Sequence, residues 1–217
     1  TKISLDDIRV NQLVDYEMEA VTIPEGADDY IIGINVCSLW RNGEHTGWAT
    51  ITPYEDIRPV LGYYDEGQPQ TSDWEIKFLA EHGIDFQAFC WLGRESDKPI
   101  KQAWDITALD NGFLHAKNKD KMKFCLIWEA ANGATPVDSD AFRNYFVPYW
   151  MEYYFSNPSY MTIENKVVFA VFGADSLISK FGTGLKAEFD YLREEVKKLG
   201  FDGAIILDCN SYRTEGS

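Results

Sequence analysis

Residues 122–133 read MKFCLIWEAANG, and the fold turns on the first seven of them. Apart from Lys123 the segment 122–128 is apolar without alternation, the pattern of a parallel strand covered on both faces. Where the run stops, an indole and a carboxylate arrive together as Trp128 and Glu129, and an Asn132-Gly133 turn follows. A buried strand that delivers such a pair at its exit calls for an explanation in chemistry as well as in packing.

Four further runs share this character: 30–37 (YIIGINVC), 85–91 (DFQAFCW), 166–172 (KVVFAVF) and 203–208 (GAIILD). Helical patterns fall between them. Ser72 and Glu75 are spaced as a capping box for a helix that runs to Gly83. Leu185, Phe189, Leu192, Val196 and Leu199 recur at helical spacing, with Gly200 as the stop. The segment 141–155 reads as an aromatic helix in which Pro148 makes a kink or starts a new turn, with Phe142, Phe146, Trp150 and Tyr153 in the core. Strand alternating with helix predicts a parallel α/β domain. Neither GxGxxG nor GxxxxGK[ST] follows any of the five runs, which removes the signatures of the dinucleotide-binding and P-loop sheets. The aromatic and acidic strand exits favour a (β/α)8 TIM-type barrel with its site on the C-terminal face. Such a barrel takes about 250 residues and about eight strands, so the five runs are either its first five strand–helix units or a fold that is not a closed barrel. Residues 1–29 read as an acidic lead-in and 30–217 as the N-terminal part of the barrel domain.

The 217 residues are 45% hydrophobic, enough for one sizeable core. A formal charge of -15, with a pI near 4.5, repels phosphate backbones and anionic headgroups, so neither nucleic acid nor a membrane surface is an expected partner. No apolar run reaches the ~20 residues of a membrane span. The chain opens at Thr1, and a processed start is expected; a secreted, periplasmic or cell-surface location is favoured if a leader was removed. Cys37, Cys90, Cys125 and Cys209 make no CxxC pair and read as free thiols, with Cys90 and Cys125 buried. His45, His82 and His115 are dispersed, so no metal centre and no cofactor are expected, although His45 lies in an aromatic loop.

The strand exits supply the candidate site. After the first run come Ser38 and Trp40, and the long connection adds Tyr63, Tyr64, Asp65 and Glu66. The second run ends in Trp91, the third in Trp128 and Glu129 with Asn132 close behind, and the fifth in Asp208 with Asn210 beyond. Flat aromatic faces suit the C–H faces of sugar rings, while carboxylates and amides suit the hydroxyls. Glycosidic cleavage adds the need for an acid and a second carboxylate. On that logic Glu129 is the candidate catalytic group. Trp40, Tyr64, Asp65, Glu66, Trp91, Trp128, Asn132 and Asp208 are candidate substrate contacts. Each also has a plainer reading: rim packing for the tryptophans, a helix cap or surface ion pair for Glu129, and an ordinary turn for Asp65-Glu66-Gly67.

Three segments taken in order, RPVLGYYDEGQPQTSDWEIKFLAEHGIDFQAFCW, MKFCLIWEAANG and YMTIENKVVFAVFG, resemble the glycoside hydrolase family 99-like proteins, which include endo-α-mannosidases and WbsX-type proteins. The resemblance spans about residues 58–175, and more loosely reaches Asp208. It implies a (β/α)8 barrel acting on a glycan, with strand-exit aromatics in the cleft. In that family the catalytic glutamates lie on late strands, beyond Ser217 in this numbering, so no residue here inherits their role. The usual aromatic-proline stretch after the first strand is replaced by NVCSLWRNG. Three readings follow: an endo-acting hydrolase of neutral α-linked, mannose-like glycans; a non-catalytic glycan-binding protein or inactive fragment; and a WbsX-type transferase role in polysaccharide assembly.

Overall fold

The structure, a computed structural model, describes residues 18–24, 30–41, 47–93, 106–132 and 135–209, with the side chains of Glu55 and Asn132 excepted. His45, Gly133, Asn210 and most of the 1–29 lead-in therefore lie outside the described residues, as does the Asn132 side chain. The chain divides into two compact units. One comprises residues 1–32, 37–85 and 104–122; the other comprises 33–36, 86–103 and 123–217.

The second unit holds the whole sheet. Its strands are β1 (Gly33–Val36), β2 (Phe86–Trp91), β3 (Lys123–Glu129), β4 (Thr162–Ile163), β5 (Lys166–Phe172) and β6 (Gly203–Asp208). The five predicted runs all form strands, and they pair in parallel as β1-β2-β3-β5-β6. This is a parallel α/β fold whose strands neighbour one another in chain order, as in successive units of a (β/α)8 barrel. β3 and β5 are buried almost throughout, whereas β1 and β6, each with one neighbour among the described residues, are partly exposed. The first run is shorter than expected, because Tyr30, Ile31 and Ile32 precede the strand and are exposed. One arm was missed. β4 makes a short antiparallel hairpin onto β5, turned by Glu164 and Asn165, both at positive φ, as a two-residue hairpin turn requires.

Between β3 and β5 the chain is helical from Ser139 to Phe155, as α2 (Ser139–Ala141) and α3 (Val147–Trp150) alternate with π-helical turns at Phe142–Phe146 and Met151–Phe155. Asp138 caps the start, accepting the Ala141 N–H at 2.8 Å. The wide turns carry positions four apart along one face, so Phe142, Phe146, Trp150 and Tyr154 are all buried. Tyr153, expected in the core, is 52% exposed, and Tyr154 takes that place. This face packs on the tryptophans of the sheet. α4 (Ala174–Phe181) and α5 (Leu185–Glu195) follow β5. Of the predicted face Leu192 and Val196 are buried and Leu185 and Phe189 half-buried, but Leu199 is 39% exposed; Gly200 ends the helical run in the left-handed region.

The first unit contains α1 (Pro69–Ala80) and the shorter turns around it. α1 begins before the predicted capping box: Pro69 stands in its first turn, so Ser72 and Glu75 lie inside the helix. Asp73 is buried and accepts the Asn118 N–H at 2.8 Å, tying α1 to the approach of β3. No disulfide joins the four described cysteines; Cys125 is buried as expected, but Cys90 is only half-buried. Among the described residues no helix is long and apolar enough to cross a membrane.

Candidate functional site

In the sheet unit, Trp91 and Trp128 are the same row of adjacent strands, and both point into the aromatic cluster. Trp128 meets Trp150 edge-on at 5.0 Å and lies 6.0 Å from both Phe142 and Phe146. Trp91 meets Trp150 edge-on at 5.3 Å, and its indole N–H donates to the Tyr154 hydroxyl at 3.2 Å. Exposures of 1% for Trp91 and 0% for Trp128 leave neither ring a face for a sugar. The two indoles expected as platforms are core residues. The reason is the strand period of two: Trp128 faces the helical layer, so Glu129, the next residue, must face the other way.

Glu129 ends β3, opposite Phe172 of β5, and is half-buried. Asp208 ends β6 in the row of Trp128 and Val171 and is exposed. Cys209 follows, its N–H donating to the Val171 carbonyl at 2.9 Å. Burial raises the Cys209 thiol pKa, and the charges of Asp208 and then Glu129 raise it further. The rim of this unit therefore carries two carboxylates within electrostatic reach of one thiol.

Trp40, Tyr64, Asp65 and Glu66 are gathered in the other unit. Trp48, 2% exposed, is the hub: Trp40 stacks on it at 4.5 Å and 25°, and Tyr64 meets it edge-on at 4.9 Å. The Trp48 indole N–H donates to the Tyr64 carbonyl at 2.6 Å. Asp65 accepts the Gly67 N–H at 2.7 Å, an Asx turn, and pairs with Arg41 at 3.4 Å. The Glu66 carboxylate accepts the Trp40 N–H at 2.9 Å, together with the Ser38 hydroxyl and the Leu39 N–H. In place of sugar hydroxyls, both acidic side chains hold the protein's own donors.

Glu75, read from sequence only as a capping partner, completes the acidic group. Burial, with the neighbouring Glu66 charge, pushes its pKa up to about 8. Burial also raises Glu66, against the pull of its donors from Trp40, Ser38 and Leu39. Tyr64 is pushed far above the ordinary phenol range by burial and then by the charges of Glu75 and Glu66. Two carboxyls of raised pKa thus lie within electrostatic reach of one another, and the three donors on Glu66 oppose its rise. The sequence signal that could have found Glu75 was its place in the second turn of the helix that follows Asp65-Glu66.

No protein-family model matches the sequence, and no curated protein matches it. Among solved structures, the GH99 endo-alpha-mannosidase from Bacteroides thetaiotaomicron is similar, at 15% identity and a TM-score of 0.47. The similarity covers 70% of this chain and 40% of that one. The chain thus spans less than half of the structure it resembles.

Proposed function

We propose that this chain is part of a glycan-active protein, a glycoside hydrolase that cleaves within neutral, α-linked, mannose-like glycans. The observation that carries the reading is the Trp40 indole, stacked on Trp48 at 4.5 Å yet only half-buried, because a fixed and partly open aromatic surface suits the apolar face of a sugar ring. The segments that resemble the family 99-like proteins support it. Within the unit of α1, Trp40 and Tyr64 are the aromatic contacts in this reading; within the sheet unit, Asp208 is a hydroxyl acceptor and Glu129 the candidate acid at the β3 exit. Incubation of the protein with a panel of α-mannans should release oligosaccharides, and Glu129→Gln should lower turnover about 100-fold, the scale of lost general acid–base help. Oligosaccharide release by wild type but unchanged turnover in the variant returns Glu129 to a structural role. A non-catalytic glycan-binding protein is the second reading, favoured by the saturation of Asp65 and Glu66 with internal donors. It requires binding of the same glycans without release.

A further inference from the structure

Glu66 is 5% exposed, and it holds both polar groups of one backbone unit. Its carboxylate takes the Trp40 N–H at 2.9 Å, while its own N–H donates to the Trp40 carbonyl at 3.1 Å. The Leu39 N–H and the Ser38 hydroxyl donate to the same carboxylate. The Ser38 oxygen in turn accepts the Ala108 N–H at 3.3 Å, and the Glu66 carbonyl lies where a Cβ on Gly112 would come within 2.4 Å. The clamp is therefore anchored on the segment 106–112 as well as on its own turn.

The indole that this clamp carries is stacked at 4.5 Å on Trp48, which is itself fixed through its N–H to the Tyr64 carbonyl. Trp48 is sealed in, whereas Trp40 remains half-buried, with one face covered and part of its surface open. A loop residue with a large side chain would ordinarily sample several orientations, and fixing both of its backbone groups removes that freedom before any ligand arrives. Two N–H groups and a hydroxyl converging on one side chain require an acceptor with no donors of its own, which an ionised carboxylate satisfies and an amide does not.

We propose that Glu66 is a positioning residue: it does not touch the glycan, but holds Trp40 so that the open surface of its indole meets the apolar face of a sugar ring. The glycan part of this statement rests on the function proposed above; the clamp does not. Circular dichroism tests the clamp: the Trp40–Trp48 couplet is the exciton signal that Trp40→Ala removes from the wild-type spectrum, which also carries the couplings of Trp150 to Trp91 and Trp128. In the full chain, Glu66→Gln turns an N–H2 toward three donors, and Glu66→Asp keeps the charge but falls one methylene short. Both variants should lose the couplet, and the aspartate carries the test if the amide does not fold. For an α-linked mannooligosaccharide, the KM should rise about tenfold, as expected for one lost stacking contact, with kcat within about twofold. Trp40→Ala should raise KM equally, and combining it with Glu66→Asp should add nothing. A folded Glu66 variant that keeps the couplet overturns the clamp. A lost couplet with an unchanged KM overturns the sugar contact at Trp40. Wild-type protein that neither binds nor cleaves the oligosaccharide refutes the glycan part, while the couplet still decides whether Glu66 positions Trp40.

Discussion

Replacing Glu75 by glutamine should make the protein more stable at neutral and alkaline pH and change little in acid. Glu75 ordinarily has a pKa of 4.5, and in the fold it is pushed up to about 8 by burial and by Glu66. Below the ordinary value both folded and unfolded states hold the proton, and the group contributes no pH dependence. Between that value and about 8 the unfolded chain releases the proton while the folded one keeps it, so the unfolded state binds fewer protons and stability falls as pH rises. Above about 8 both states are ionised and the loss levels off. Each pH unit of that window is worth about 1.4 kcal/mol. From pH 5 to 8 this gives about 4 kcal/mol at most, and coupling to Glu66 brings the expected loss to about 2–4 kcal/mol. Glutamine keeps the shape of the protonated acid and cannot ionise, so it removes the slope. Urea unfolding at pH 5, 6, 7 and 8 measures it. With a slope of about 1–3 kcal/mol per molar urea, the midpoint advantage of Glu75→Gln at pH 8 should approach or exceed about 1 M. The net charge of -15 adds a general loss of stability with pH, but both proteins share it, and their difference isolates Glu75. Midpoints that run parallel across the range would show that the folded protein does not hold this proton.

Gly112→Ala should destabilise by about 1–3 kcal/mol, because its Cβ would meet the Glu66 carbonyl at 2.4 Å and the Ser72 hydroxyl at 2.6 Å, and backbone cannot swing aside as a side-chain tip can; thermal unfolding reads it. Trp128→Ala should cost about 3–5 kcal/mol, while Trp128→Phe should leave glycan affinity unchanged, as expected of a residue 0% exposed in an aromatic cluster; a raised KM in a well-folded Trp128→Phe protein would restore it to the site. Arg143 binds Glu188 through two nitrogens at 2.9 and 3.2 Å and lies over Tyr191. Arg143→Met alone should lower the melting temperature more than Arg143→Met with Glu188→Gln, since the single change strands a carboxylate that is 3% exposed.

The sheet was legible because its signal is local. Five unalternating apolar runs, separated by helical patterns, are the mark of parallel strands, and all five formed parallel neighbours, although β1 and β6 are partly exposed. The helix from Leu185 was equally plain from its spacing and its closing glycine. The fate of the polar and aromatic side chains at the strand exits was not local. Trp128 and Glu129 are adjacent in sequence, yet the pleat sends the indole into the core and the carboxylate to the opposite face. Tyr154 replaced Tyr153 in the core because π-helical turns widened the period, and nothing in the composition of 141–155 announces an i→i+5 bond. Glu66 and Glu75 could be seen in the sequence only as a turn residue and a capping partner. Their protonation depends on how much water each has lost and how many donors face it, and those quantities exist only once residues 38–40, 64–66 and 75 have been folded against one another.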